Sequence, residues 1–302
     1  MSTVLNKPLV SVVVPFFNVE SYAEETIKLI CTQTLKDIEI ICVDDGSTDG
    51  TPSIIESLSK TDSRIRFVSQ ENSGAGAARN AGLDLATGEY VSILDSDDIY
   101  NTRMLETAFI KAQITDSDVV LYRSDQFIQQ EDKYKKTPWV IKLHQLPSTE
   151  VFSISDIRSN RFFAFQGWAW DKLFKRSFIE SNRLRFQNTR IYNDMFFVFA
   201  ACLMAKRISY IDSILIHQRK RGGGSLSDAP SAHWESIFLA LEKVNELIIN
   251  EDLSDEIKVD FDDYVLHMVK RQLDLCTLRD EKKMRESIEK NWISRFSILS
   301  NI

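Results

Sequence analysis

A chain of 302 residues with 43% hydrophobic side chains can bury one large core, or one core and a smaller helical appendage, which excludes extensive disorder. Its 37 basic and 44 acidic side chains leave a formal charge of −7, which argues against broad binding to nucleic acid and allows only local basic pockets. Cys31, Cys42, Cys202 and Cys276 show no CxxC pairing and read as reduced thiols, residues 1–8 lack a signal peptide's apolar run, and no stretch approaches the roughly 18 apolar residues of a membrane span, so a cytoplasmic protein is expected.

In chain order, residues 10–14 (VSVVV), 38–43 (IEIICV) and 90–94 (YVSIL) are short β-branched runs of the kind buried on both faces of a parallel sheet. Helical spacing lies between them over 20–32, over 51–59 with Pro52 suited to a first turn, and over about 76–86. The first hundred residues therefore read βαβαβαβ, a doubly wound, mostly parallel α/β sheet whose ligands gather beyond the carboxyl ends of the strands. Further on, 118–122 (DVVLY) predicts a strand, 129–136 a surface loop or hairpin, and 193–205 a largely apolar helix. Residues 208–211 and 214–217 predict two strands, 219–229 (RKRGGGSLSDA) a mobile loop, and the chain from Pro230 two or three amphipathic helices.

Three acidic or polar turns fall at the strand ends: PFFN, DDGS and DSDD. In Asp95-Ser96-Asp97-Asp98 three carboxylates stand too close to be stable unless a cation or hydrogen-bond donors share the charge, and a hard divalent ion bridging them to a diphosphate would resolve the repulsion. Asp98 or Asn101 also suits a helix N-cap. Asp44 and Asp45 can accept from a base N–H or a ribose hydroxyl, with Gly46 turning the chain. The stretch from Gly74 to Arg79 fails the GxGxxG spacing and follows the wrong strand, which disfavours hydride transfer; its glycines suit close packing beneath a nucleotide, and Arg79 can reach a base or phosphate. Arg219, Lys220 and Arg221 offer positive charge to a diphosphate, with Gly222–Gly224 letting the loop fold over it.

Taken as an ordered set, residues 10–18 (VSVVVPFFN), 43–51 (VDDGSTDGT), 73–83 (SGAGAARNAGL) and 88–98 (GEYVSILDSDD) closely resemble the family 2 glycosyltransferases of the GT-A, or nucleotide-diphospho-sugar transferase, fold. The resemblance implies inversion at the anomeric carbon, a nucleoside diphosphate donor with UDP-sugar as default, and Mn²⁺ or Mg²⁺. Carried over by position, Pro15, Phe17 and Asn18 line the nucleoside pocket, Asp45 faces the base, Asp95 and Ser96 approach the donor, and Asp97 ligates the metal. Residues 167–179 (GWAWDKLFKRSFI) look like the family's WNKLYKR stretch, with Asp171 in place of Asn; Trp168, Trp170 and Asp171 are assigned to the acceptor, the indoles offering faces for a sugar and equally for core packing. The family's Glu-Asp pair reads here as Asn193-Asp194, leaving Asp194 as the base that takes the acceptor's proton. His217 stands where many relatives place a second metal ligand.

The implied organisation is a GT-A catalytic domain over 1–229, with a nucleotide-sugar half (1–100) and an acceptor half (101–229), followed by a helical extension over 230–302. The acceptor is expected to be a saccharide or a lipid-linked saccharide. Lys282, Lys283 and Arg285, near Trp292 and Phe296, suggest peripheral contact of the C-terminal helices with an anionic membrane, and a homo-oligomer is compatible with the sequence. A nucleotidyltransferase would favour a glycine and lysine rich phosphate loop at the first strand, and PFFNVESY supplies none. A non-catalytic sugar-nucleotide binder remains the other alternative.

Overall fold

The first hundred residues fold as β1 (Val10–Phe16), α1 (Glu20–Cys31), β2 (Ile38–Asp44), α2 (Thr51–Ser59), β3 (Ile65–Ser69), α3 (Ala75–Leu85) and β4 (Tyr90–Ile93) in a computed structural model that describes residues 7–222 and 233–301. β1 pairs in parallel with β2 and β4, and β2 with β3. Because side chains alternate along a strand, the same β-branched run feeds two cores: Val12 and Val14 pack with Ile27 and Ile40 on one face, and Val13 with Ile41 and Val91 on the other. Covering both faces is what makes these strands uniformly apolar.

Past the DSDD turn come β5 (Ile99–Tyr100), α4 (Met104–Thr115), β6 (Val119–Ile128), β7 (Lys133–Lys135), β8 (Lys172–Lys175), α5 (Arg176–Ser181), α6 (Met195–Met204) and β9 (Ile208–Lys220). The strand order is β3-β2-β1-β4-β8-β6-β9-β5, with β7 pairing β6. β8 is antiparallel to both β4 and β6, and β5 to β9, so the parallel half gives way to a mixed half. The two strands predicted around Asp212 are one 13-residue strand. A bulge opposite Arg123 absorbs the turn-prone Asp212-Ser213, and Arg123 pairs with Asp212 at 2.7 Å. Arg219 and Lys220 therefore belong to β9; only Arg221 and Gly222 of the predicted glycine-rich loop follow it before residues 223–232, which lie outside the described residues.

The chain resumes with α7 (Glu235–Asn250), α8 (Asp255–Leu275) and α9 (Leu278–Ser287). Their apolar faces join the same hydrophobic cluster that holds Val13 and Val91, through Ile237, Phe238, Leu241, Phe261 and Val265. Trp292 and Phe296 also belong to this core; Trp292 stacks on Phe238 with ring centroids 4.8 Å apart. Neither ring is therefore available to a bilayer, which corrects the membrane-facing reading of that segment. Lys282, Lys283 and Arg285 sit within reach of Glu286, Asp280 and Glu281 on their own helix, so their charge is locally balanced. Among the described residues no helix is long and apolar enough to cross a membrane. Truncating Phe238, fully buried between Trp234 and Trp292, to Ala is expected to cost about 3–5 kcal/mol in urea unfolding, because the rings around it cannot collapse into the space.

Candidate active site

The site is built where the register of β5 against β9 sets two motifs face to face. Ile99 is the partner of His217, so the antiparallel pairing carries Arg219 opposite Asp97. The Arg219 backbone N–H donates to Asp98 Oδ1 at 2.8 Å and its Nε donates to the Asp97 carbonyl at 2.7 Å. Arg221 reaches the Asp97 carboxylate at 2.5 Å, and Arg219 reaches Glu25 at 2.9 Å. Both guanidinium groups lie over the Tyr22 ring, at 5.2 and 5.0 Å from its centroid, beside the first turn of α1. Thr26 of that helix donates to the Ser96 carbonyl at 2.8 Å, and Tyr100 donates to the Asp95 carbonyl, so the acidic turn is pinned from both sides. The predicted cap at Asp98 is not formed. Its carboxylate is buried and committed to β9, while Asn101 accepts from the Arg103 N–H.

Across the cleft, Arg79 of α3 is the hub. Buried to 7% exposure, it donates through Nη2 to Asp95 Oδ1 at 2.7 Å and through Nη1 to Asn193 Oδ1, with Phe186 beneath it at 5.5 Å. Asn193, which the resemblance expects as Glu, thus serves as a neutral acceptor and leaves the Arg79 charge to the carboxylates. Asp194 begins α6, but its side chain makes no capping hydrogen bond. Burial pushes its carboxyl above the ordinary range, with Arg79 opposing and Asp95 adding to the shift. Tyr192, just before this pair, holds a left-handed φ of 58° that is costly for an aromatic residue, and its hydroxyl donates to Gln272 of α8 at 3.3 Å. The C-terminal helices thereby help fix the loop that presents Asp194.

Glycine makes that approach possible. A Cβ on Gly76 would lie 2.0 Å from the Gln187 carbonyl, and the Gln187 N–H donates to the Asn193 carbonyl at 3.1 Å, so the start of α3 is a seat for the Asp194 loop. A cavity of about 290 Å³ opens between residues 72–75 and 188–190.

Other expected positions fall differently. Asp45 is buried, and its carboxylate accepts from Gln70 Nε2 at 2.7 Å, Ser73 N at 2.9 Å and Gly74 N at 2.8 Å, so it braces the turn ahead of α3 where an open, base-facing side chain was expected. Pro15 is the penultimate residue of β1, and the exposed Phe17 and Asn18 follow the strand; Asn18 Oδ1 accepts from the Thr48 N–H at 2.8 Å, tying PFFN to DDGS. Asp171 is buried against Lys172 at 2.5 Å, and Trp170 is 4% exposed, so neither presents a surface to an acceptor, because the WAWDK turn is folded inward around the lysine. Trp168 remains half-exposed.

The donors present suit a cation held partly by the protein and partly by its substrate. Among the described residues no three His, Cys, Asp or Glu side chains converge into a metal cage. Asp97 is a partly exposed hard oxygen donor held by a displaceable arginine, and His217 is oriented through Nδ1 by Asp125 at 2.5 Å, an arrangement that leaves Nε2 for a ligand. One or two protein donors completed by substrate phosphates is the mode in which Mg²⁺ and related ions bind. The residues fit a cation carried with a diphosphate. Sequence reasoning missed Tyr22, Glu25, Asp125 and Lys172. Tyr22 alone had a signal, since it opens the helix that follows a strand-end turn.

A parallel sheet with acidic turns at its carboxyl edge, continued by a mixed half that presents Asp194, defines a glycosyltransferase of the GT-A architecture. The chain belongs to glycosyl transferase family 2, whose model matches residues 11–201. It is similar to the glycosyltransferase GlyG of Streptococcus pneumoniae serotype 4, 31% identical over 255 residues covering 80% of this chain and 81% of GlyG. The fold is shared with TarS 1-349 of S. aureus in complex with UDP, at a TM-score of 0.66 and 22% identity over 88% of this chain and 72% of that one. It is shared also with the mannosyltransferase PcManGT of Pyrobaculum calidifontis in complex with GDP-Man and Mn²⁺, at 0.60 and 18% identity over 97% and 84%.

Proposed function

We propose that this glycosyltransferase inverts the anomeric centre as it passes a hexose or N-acetylhexosamine from a UDP-sugar to a hydroxyl of a saccharide or lipid-linked saccharide, in the assembly of a bacterial surface polysaccharide, lipooligosaccharide or glycan. The observation that carries the reading is the carboxylate of Asp194, uncapped and raised in proton affinity, next to Asn193, which Arg79 ties to Asp95 of the acidic turn. One carboxylate is what an inverting transfer requires: Asp194 takes the acceptor's proton as the hydroxyl oxygen attacks C1 and the C1–O bond to the diphosphate breaks. Pro15, Phe17 and Asn18 receive the nucleoside, Asp95 and Ser96 the ribose, and Arg79 supports Asp95. Asp97, with His217, holds Mn²⁺ or Mg²⁺, which when bound offsets charge growing on the leaving diphosphate. Arg219 and Arg221 supply positive charge to the same group. The UDP in the TarS complex and the Mn²⁺ with GDP-Man in PcManGT support a nucleotide donor and a divalent ion by analogy of fold.

The test is diphosphate release from a panel of UDP- and GDP-sugars, with and without Mn²⁺, in the presence of saccharide acceptors. Metal-dependent release that rises with acceptor is expected. Nucleotide-sugar binding without release under any combination would make the chain a binding protein.

A further inference from the structure

Beside the Asp194 loop lies an aromatic corner that the donor site does not use. Trp168 stacks on the buried Trp170, centroids 4.9 Å apart and planes 17° from parallel. Trp139 meets Trp168 edge to face, 5.7 Å away at 75°, and is itself 41% exposed. The corner is rigid. Buried Lys172 donates to the carbonyls of Gln166 (2.9 Å) and Trp168 (2.8 Å) and pairs with Asp171, pinning the turn from beneath. From the other side, the 139–142 segment docks on it through Gln166 N to Val140 O at 3.2 Å and Lys142 N to Ala164 O at 2.8 Å.

Its position relates it to the chemistry. Gly167 lies against Met195, the residue after Asp194: a Cβ at Gly167 would stand 3.7 Å from the Met195 Cα. The geometry points to Trp139, with Trp168, as a subsite for the pyranose ring of the acceptor, a role that rests on the transferase reading above. Two indoles at a steep angle offer one flat face and one wall, the shape that takes the C–H face of a single sugar ring. The Gln166 side-chain amide, which donates to the Trp139 carbonyl at 3.4 Å, puts a polar group at the rim where ring hydroxyls would lie. An alkyl chain or a bilayer would call for a broader apolar face than one indole, and the neighbouring Lys136 and Pro138 do not extend it. Trp170 is the support beneath and touches no ligand.

The probes are the methyl β-glycosides of glucose, galactose and N-acetylglucosamine, titrated into the full chain with UDP and Mn²⁺ present and followed by saturation-transfer NMR. At least one glycoside should bind the wild type through its ring C–H protons. Trp139→Ala should weaken that binding about tenfold while Trp139→Phe retains most of it. UDP affinity should be the same in all three proteins, which also shows that the variants fold. Equal glycoside binding by wild type and Trp139→Ala, or no binding of any of the three by the wild type, overturns the subsite. Loss of UDP binding by the wild type would instead strike the transferase reading, so the two failures are separable.

Discussion

Asp194→Asn should lower kcat about a thousandfold while leaving the UDP-sugar Kd within about twofold of wild type, because the amide keeps the shape of the site and loses only the proton acceptor. Single-turnover transfer and isothermal titration of the donor separate the two effects. The side chain makes no capping bond to α6, so the substitution should cost little stability. In the wild type, burial raises the Asp194 carboxyl above the ordinary carboxylate value of about 3.9, and Arg79 opposes the rise. A base must be deprotonated to act, so kcat/KM should climb with pH through that raised value and level off above it. Asn193→Glu would set a second carboxylate on Arg79, draw its charge from Asp194, and shift the acid limb to higher pH. A pH profile that does not move, or Asp194→Asn turning over like wild type, would remove Asp194 as the base.

Asp97→Ala should act on the metal-dependent part of donor binding. With Mn²⁺, UDP affinity is expected to fall about 10- to 100-fold and turnover with it, since the cation loses its carboxylate. In EDTA the sign differs. Arg221 pairs with Asp97 at 2.5 Å, so removing the carboxylate frees that guanidinium for the diphosphate, and the variant should bind UDP at least as well as wild type. Titrations of both proteins, with and without metal, decide the point. An Asp97→Ala enzyme that keeps full Mn²⁺-dependent affinity would exclude this carboxylate as a ligand.

How much of this was legible beforehand depended on the range of the interaction. The uniformly apolar runs of β1, β2 and β4, the helices between them and the acidic turns at their ends are encoded by neighbouring residues, through side-chain alternation and turn preference. That local code places PFFN, DDGS and DSDD on one edge of a sheet. The break expected at Asp212 was wrong because a bulge and the Arg123 pair hold β9 together across it, a partner 89 residues away. Trp292 and Phe296, whose positions beside a cationic helix suggested a membrane face, are claimed by the core through Phe238.

By itself, then, the sequence determined the doubly wound half of the molecule, its acidic rim and the family to which it belongs, because β-branched alternation and turn chemistry act over a few residues. Tertiary structure alone decided that Arg79 joins Asp95 to Asn193 across 114 residues, and that Arg219 locks onto Asp98 across 121. It decided equally that Asp45 and Asp171 turn inward. Those outcomes follow from which strands pair and in what register, and a single residue's slip in either would reverse which side chains reach the cleft, so no local pattern could carry them.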